Sequence, residues 1–204
     1  MDKTYADEFR RIFLLQNLPE PIERSSSHLQ IFDNYIENTR LRIRSIRSPE
    51  TKEWTFILQQ RFPVNEQLSL WKIAEIYLSD NEHRVFESFE KREIKKNERV
   101  ESSEIRKNRY FLDYEGIQIS VDLFLGDLWG LILAKAEFET EKELLDFETP
   151  QFSVLEVTVE SFFVGSNLVG KTFSEVQEEF RKISESRNEL EIRNSEIEDW
   201  FSKQ

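Results

Sequence analysis

The sequence alternates between charged and apolar residues over many short segments, and this limits the folds that it can adopt. Residues 40–47 (RLRIRSIR) alternate strictly, which is typical of a β-strand with one charged face. Further strands are predicted at residues 8–15, 28–36, 53–62, 69–78, 109–114, 117–125, 131–138 and 155–164. Strands with two unlike faces belong to antiparallel sheets or barrels, because doubly wound parallel sheets bury both faces. We therefore expect a mainly β fold of the α+β class.

Two regions favour helices. Residues 80–96 place a few apolar residues among many charges, which indicates an amphipathic, exposed helix. Residues 172–204 form a helical segment, in which Thr172 and Glu175 have the spacing of a capping box. A second short helix is predicted around Trp200 and Phe201.

The composition narrows the class of protein. The chain has 204 residues and no cysteine, so disulfides and cysteine-based metal sites are excluded, and one domain spanning residues 1–204 is expected. With 40 acidic and 28 basic residues the formal net charge is −12, whereas a broad nucleic-acid surface needs a positive field. Any bound anion must therefore enter a locally basic cleft.

The sequence gives no sign of a membrane or secretory protein. No apolar run approaches the roughly 20 residues that a membrane helix needs. The polar start, residues 1–4 (MDKT), lacks the apolar stretch of a signal peptide. We expect a cytoplasmic protein that does not associate with membranes.

One segment matches a nucleotide-binding motif in full. Residues 165–172 (GSNLVGKT) fit the Walker A pattern, in which Lys171 would contact phosphates and Thr172 would hold magnesium. A P-loop fold builds a parallel sheet around this turn, but only a helical tail follows it here. We therefore expect a coincidental match, in which Gly170 turns the chain and Thr172 caps the helix. Nucleotide binding through residues 165–172 is kept as a minor alternative.

Charged residues fall at the same parity on nearly every predicted strand. Residues two apart in a strand share a face. Such groups are Glu8 with Arg10, Arg42 with Arg44, Gln59 with Arg61, Lys107 with Arg109, Ser120 with Asp122, and Lys135 with Glu137 and Glu139. One such pair is usually only exposed to solvent, but an ordinary β-domain would not repeat the pattern. A closed barrel with a polar lumen would repeat the pattern, because its inward-facing charges would bind a polyanion and its metal.

In their order along the chain, these segments resemble the CYTH domain, or triphosphate tunnel metalloenzyme, superfamily. The matching segments are EFRRIFLL (8–15), RLRIR (40–44), FILQQRF (56–62), EIYLSDNEH (75–83), RKNRYFLDYEGIQISVDLF (106–124), GLILAKAEFE (130–139) and SNLVGKTF (166–173). The last one falls on the family's closing Ser-Asn-x-x-Leu turn, which accounts for the Walker A match. The resemblance covers nearly the whole chain.

The resemblance implies an eight-stranded antiparallel tunnel with flanking helices, in which cations hold a triphosphate and carboxylates hold a divalent metal. Members hydrolyse inorganic triphosphate, thiamine triphosphate or nucleotide triphosphates, and some cyclise ATP. The phosphate-binding residues that it implies are Arg42, Arg44, Arg61, Lys107 and Arg109. The metal ligands that it implies are Glu8, Asp122, Glu137 and Glu139.

The sequence departs from the family's pattern at three positions of the metal-binding and phosphate-binding motifs. Arg10 stands at the second carboxylate position of the opening motif, Ile12 at its lysine position, and Lys135 at the first position of the later carboxylate pair. Loss of carboxylates weakens a magnesium or manganese site, because hard divalent ions need several oxygen ligands. Arg10 and Lys135 are therefore expected to contact phosphate oxygens directly.

We expect a degenerate member that binds a triphosphate or nucleotide-like anion with weak or no hydrolysis. Its magnesium or manganese would be weakened or lost, and no organic cofactor is expected. The alternative is an active metal-dependent inorganic triphosphatase, a related phosphohydrolase or an adenylate cyclase, in which the carboxylates still hold one ion. The expected partner is a small phosphate-rich ligand. The sequence assigns no catalytic residue and leaves the oligomeric state open, a homodimer included.

Overall fold

A computed structural model of the chain describes residues 4–186, apart from 65, 67, 90–92, 97–98 and 103. Of residues 87, 93–96 and 99–102 it describes the backbone only. The second C-terminal helix predicted around Trp200 and Phe201 lies outside the described residues.

Most of the strands in the described part of the chain close into a barrel. The strands are β1 (Ala6–Leu15), β2 (Leu29–Tyr35), β3 (Leu41–Arg47), β4 (Trp54–Pro63), β5 (Leu70–Leu78), β6 (Glu93–Lys96), β7 (Arg99–Ser102), β8 (Glu104–Tyr114), β9 (Ile117–Phe124), β10 (Ile132–Phe138) and β11 (Ser153–Glu156). Eight of them form an antiparallel barrel in the order β10–β9–β8–β2–β3–β4–β5–β1, and β1 pairs back to β10. β11 adds to β1, and β6 and β7 form a separate hairpin. The predicted closed antiparallel barrel is confirmed.

The barrel interior is charged along one part and apolar along the other. Leu14, Ile105 and Leu133 have the inward parity of the charged residues in their strands, yet they belong to a buried apolar cluster. Helix α3 (Phe173–Ser186), the last described element, contributes Phe180 to the same cluster. The apolar part of the lumen is thus filled by side chains, and the charged part remains as a cavity.

Helix α3 begins at the predicted capping box. The backbone amide of Thr172 donates to Glu175 Oε2 at 2.9 Å, and the Glu175 amide donates to Thr172 Oγ1 at 3.4 Å. Gly170 has a φ of 70°, the left-handed conformation that suits glycine in a turn. The two roles predicted for Gly170 and Thr172 are therefore confirmed.

A second apolar core covers the outer face of β1, β8, β9 and β10. Phe13, Val121 and Ala134 point away from the lumen and are fully buried there with Phe147. Phe147 follows helix α2 (Glu141–Asp146), which leads the chain back across this face. Apolar packing on both sides of these strands fixes the backbone from which the lumen side chains project.

The predicted helix over residues 80–96 is correct only in its first half. Helix α1 spans Asp80–Phe86, a 3₁₀ turn follows at Glu87–Phe89, and β6 begins at Glu93. Ser79 and Glu82 cap the start, since the Ser79 amide donates to Glu82 Oε2 at 2.7 Å. Beyond the turn, pairing of β6 with β7 replaces the helix.

The strand predicted at residues 155–164 is wrong beyond Glu156. β11 ends there, and residues 161–168 form two 3₁₀ turns, Ser161–Phe163 and Gly165–Leu168. The apolar side chains of Phe163 and Leu168 pack into the buried cluster that α3 joins, so burial and not strand pairing explains their hydrophobicity. Within the described residues, no helix has the length and apolar character needed to cross a bilayer.

Candidate anion-binding site

The charged part of the lumen is a cavity of about 700 Å³. Its wall is formed by inward-facing side chains of the barrel strands, together with the β2–β3 turn and residues 161–169. The cationic side chains of the strands that line it are Arg10, Arg42, Arg44, Arg61, Lys107, Arg109 and Lys135. These are all the phosphate-binding residues expected from the sequence, and the fold brings the seven together.

Asp33 on β2 lies at the centre of one group of cations. Its side chain is 1% exposed and accepts from Arg44 at two points, Nε to Oδ1 at 2.6 Å and Nη2 to Oδ2 at 2.8 Å. Arg42 Nη1 lies 3.4 Å and Lys107 Nζ 3.5 Å from Oδ2. Burial alone would raise the pKa of the Asp33 carboxyl, but the three cations hold that pKa well below its usual range.

Asp122 on β9 is also bound by cations, Arg109 and Lys107. Arg109 donates from Nε to Oδ1 and from Nη2 to Oδ2, both at 2.7 Å. Lys107 Nζ lies 2.7 Å from Oδ2, so this ammonium bridges Asp122 and Asp33. Burial lowers the pKa of Lys107 to about 8, although the two carboxylates act in the opposite direction.

Glu8 on β1 is at the centre of the third group. Oε1 accepts from Arg61 Nη2 at 2.6 Å and from Arg10 Nη1 at 3.4 Å, and Oε2 lies 3.7 Å from Lys135 Nζ. Lys135 also contacts the carboxylate of Glu137, whose side chain is 48% exposed. Burial would raise the pKa of Glu8, but Lys135, Arg61 and Arg10 together hold that pKa far below its usual range.

The cations outnumber the carboxylates in the lumen. Among the barrel strands, seven cationic side chains face Asp33, Asp122 and Glu8, which leaves four more positive than negative charges, or three if Glu137 at the rim is included. Arg40 and Glu37 of the β2–β3 turn also line the cavity, and their charges cancel. The whole chain has a net charge of −12, so the interior has the opposite sign to the protein. Like charges in a confined space of low dielectric repel one another, and an entering anion would relieve that repulsion.

Three further contacts fix the directions of the guanidinium groups. Arg42 donates from Nε to Gln59 Oε1 at 2.8 Å and from Nη1 to the Tyr35 hydroxyl at 3.2 Å. The guanidinium of Arg10 lies 4.1 Å from the ring centroid of Trp71, which is a cation–π contact. Such contacts hold the donors in place before a ligand arrives and so reduce the entropy lost on binding.

Several of these residues are not singled out by any sequence motif. Asp33, Tyr35 and Trp71 line the cavity, yet no predicted site contains them. One signal could have identified Asp33, because it is an acidic residue at the inward parity of a strand that is otherwise mostly apolar. The position of Asp33 opposite Arg44 on β3 depends on the register of the two strands, which the sequence alone does not specify.

The expected metal ligands do not assemble into a metal centre. Glu8 and Glu137 lie within side-chain hydrogen-bond reach of each other, but Lys135 contacts both of them. Asp122 is held by Arg109 and Lys107, and Glu139 is exposed beyond the end of β10. Among the described residues, no group of three or more His, Cys, Asp or Glu side chains could hold a metal ion. A divalent ion needs several oxygens, and here each buried carboxylate already binds cations. The residues present therefore do not fit the divalent metal that the resemblance implies.

The Walker A segment has the geometry of a turn that packs on the barrel. Residues 165–168 form a 3₁₀ turn, and Lys171 Nζ is paired with Glu175 Oε1 at 3.0 Å. A Cβ added to Gly165 would lie 2.0 Å from the Tyr35 hydroxyl oxygen, so any larger residue there would displace the Tyr35 side chain. The 3₁₀ turn at Ser161–Phe163 precedes the segment, where a P-loop would have a strand.

Comparison with known proteins gives a sequence match over part of the chain. No protein-family model matches the chain. A stretch of 74 residues is 35% identical to the inorganic triphosphatase of Acetivibrio thermocellus, and it covers 36% of this chain and 46% of that relative. The match thus spans less than half of the relative's length.

Solved structures show the fold over most of the chain. The crystal structure of the inorganic triphosphatase NE1496 has a TM-score of 0.51 at 20% identity and covers 80% of this chain and 95% of that one. The chain shares that fold. A second crystal structure of NE1496, described as a hypothetical protein, has a TM-score of 0.50 at 20% identity and covers 81% of this chain and 99% of that one. At 20% identity these two structures show a shared fold.

Proposed function

We propose that this chain is a triphosphate tunnel protein that binds a polyphosphate anion in its basic lumen, with weak or no hydrolysis. The observation that carries the proposal is the convergence of seven cations on one cavity, where the paired carboxylates leave an excess of positive charge. The ligand is inorganic triphosphate or the triphosphate group of a nucleotide-like molecule. Neither a nucleic-acid surface nor a membrane is part of the proposal.

The guanidinium groups suit phosphate oxygens in number and direction. Arg44, Arg109 and Arg61 project from different strands into the same space, so they can contact successive phosphoryl groups of a linear anion. An arginine contacts phosphate through two parallel N–H donors, which gives direction as well as charge. Each charge-assisted hydrogen bond is worth about 1.5–3 kcal/mol, so loss of one arginine should weaken binding roughly tenfold to a hundredfold.

The proposal of weak or no hydrolysis rests on the state of the carboxylates. Phosphoryl transfer to water needs a positioned nucleophile and usually a metal ion that neutralises the developing charge. Glu8 and Asp122, the expected metal ligands inside the barrel, are both bound to cations at 2.6–2.7 Å. Cations alone can stabilise the charge on a bound triphosphate, but they do not provide an activated water.

A metal-dependent triphosphatase is the second candidate. It is favoured by the segment that is 35% identical to a protein named inorganic triphosphatase. In this case Glu137, the most exposed of the lumen carboxylates, would leave Lys135 and bind the ion together with the ligand.

Calorimetric titration with sodium triphosphate in EDTA, paired with a phosphate-release assay in magnesium or manganese, separates the two functions. We expect binding in EDTA and no release above the rate without protein. Arg61→Ala should weaken binding roughly tenfold to a hundredfold, whereas Arg84→Ala, an exposed arginine outside the cavity, should not. Metal-dependent turnover at an enzymatic rate would favour the second candidate, and no binding under either condition would overturn both.

A further inference from the structure

The cation that contacts both Glu8 and Glu137 is a side chain of the protein, the ammonium of Lys135. Lys135 faces Ile12 across the β1–β10 ladder, and Arg10 faces Glu137 two residues further along. Lys135 Nζ lies 3.7 Å from Glu8 Oε2 and in direct contact with Glu137 Oε1. The Lys135 side chain is 13% exposed, so the ammonium is held inside the wall and not in bulk solvent.

The other oxygen of Glu8 is occupied as well. Oε1 is bound by Arg61 at 2.6 Å and approached by Arg10 at 3.4 Å. An ion entering here would meet three fixed positive charges around one carboxylate. Magnesium also demands near-octahedral coordination at about 2.0–2.1 Å, and two carboxylates already bound to an ammonium do not provide it.

The remaining buried carboxylates repeat this arrangement. Both oxygens of Asp122 accept from Arg109, and both oxygens of Asp33 accept from Arg44. Lys107 contacts these two carboxylates from between them. The buried carboxylates of Glu8, Asp33 and Asp122 are therefore all paired with cations that are part of the protein.

These ion pairs make the magnesium complex of a polyphosphate a poorer ligand for the lumen than the metal-free anion. A polyphosphate that carries Mg²⁺ has lost two negative charges, and the ion covers oxygens that guanidinium groups would otherwise contact. Its metal would also face the excess of positive charge in the lumen without a free carboxylate to bind it. The metal-free anion has neither disadvantage.

We propose that the lumen selects the metal-free form of its polyphosphate ligand over the magnesium complex, with the Lys135 ammonium as a tethered cation in the place of a divalent ion. The inference rests on the proposed function, since it concerns the form of the ligand that the same cavity takes. Magnesium then acts as a competitor, because it removes the free anion from solution. Binding responds to the ratio of free to chelated polyphosphate as well as to the total amount.

The test is calorimetric titration of the whole chain with sodium triphosphate at constant ionic strength, first in EDTA and then with Mg²⁺ in excess over the ligand. We expect an apparent Kd at least tenfold weaker in magnesium. Lys135→Glu should reverse this order, because it replaces the tethered cation by a carboxylate beside Glu8 and Glu137. Lys142→Glu makes the same charge change at an exposed position of α2 and should respond to magnesium as the wild type does.

The outcomes separate the two levels of the proposal. Equal or tighter binding in magnesium by the wild type overturns the selection of the metal-free form but leaves polyphosphate binding intact. No binding in either buffer overturns both. Lys135→Gln removes the cation without adding a carboxylate, so it covers the case in which Lys135→Glu does not fold. It should bind more weakly in EDTA and lose part of the discrimination, and an unchanged ratio of the two Kd values would contradict the role of Lys135.

Discussion

Asp33 and Arg44 face each other across β2 and β3 and form a two-point ion pair inside the barrel, with N···O distances of 2.6 and 2.8 Å. The pair is almost inaccessible to solvent, since the side chains of Asp33 and Arg44 are 1% and 8% exposed. We infer that Asp33 acts as an internal anion, because it neutralises the same cations that a phosphate group would contact. Its presence lets the basic lumen fold before any ligand arrives.

The first prediction concerns removal of this internal anion. Asp33→Asn leaves Arg42, Arg44 and Lys107 without their shared carboxylate, and loss of one partner of a buried ion pair costs about 3–5 kcal/mol. The variant should therefore melt at a lower temperature than the wild type. It should also be stabilised more than the wild type by triphosphate in EDTA, because the ligand then supplies the missing charge.

Differential scanning fluorimetry with and without triphosphate checks this prediction. Asp127→Asn makes the same chemical change at an exposed position and should leave both the melting temperature and the ligand shift unchanged. A ligand-induced shift in Asp33→Asn that is no larger than that of the wild type would contradict the role of Asp33 as an internal anion.

A second prediction concerns pH. Burial lowers the pKa of Lys107 to about 8, so its ammonium is charged below that pH and neutral above it. A bound anion favours the charged form, so binding takes up a proton above pH 8. Affinity for triphosphate should then fall by up to about tenfold per pH unit as the pH rises from 8.

Titrations at several pH values check this prediction. A Lys107→Arg variant should lose less affinity above pH 8, because arginine stays charged over this range. Identical pH profiles of the two proteins would contradict it.

A third prediction concerns the approach of the 165–168 turn to the lumen. Gly165→Ala places a methyl group where the Tyr35 hydroxyl lies, so the Tyr35 side chain, which now accepts from Arg42, must shift. Overpacking of this kind costs about 1–3 kcal/mol. Urea unfolding should show that Gly165→Ala costs less in a Tyr35→Phe background, where the hydroxyl is absent. Equal costs in the two backgrounds would show that this contact is not the cause.

A fourth prediction concerns the Walker A match. Lys171 is partly exposed and pairs with Glu175 one helical turn along, which is worth about 0.5 kcal/mol. Lys171→Ala should therefore leave the affinities for triphosphate and ATP unchanged within twofold. Loss of ATP binding in this variant, with the melting temperature preserved, would revive the P-loop alternative.

The sequence predicts the barrel well because the alternation of side chains is a local property. A repeat of two residues places Arg42 with Arg44 and Lys107 with Arg109 on common faces, and no knowledge of strand pairing is needed. The capping box at Thr172 and Glu175 is equally local.

The parts that sequence reasoning misses depend on contacts between distant segments. Phe163 lies in a predicted strand, but it is apolar because it packs into the buried cluster that α3 joins. Glu139 shares the parity of Glu137, but β10 ends at Phe138, so parity no longer fixes the direction of the next side chain. The importance of Asp33 follows only from the register that sets it opposite Arg44.

A crystal structure of the protein with sodium triphosphate and EDTA would show whether the lumen holds the metal-free anion. We expect a linear anion in the lumen, with phosphate oxygens within about 3 Å of the guanidinium groups of Arg44, Arg61 and Arg109 and no metal ion between them. Triphosphate bound only outside the barrel, or a lumen that stays empty under these conditions, would contradict this expectation.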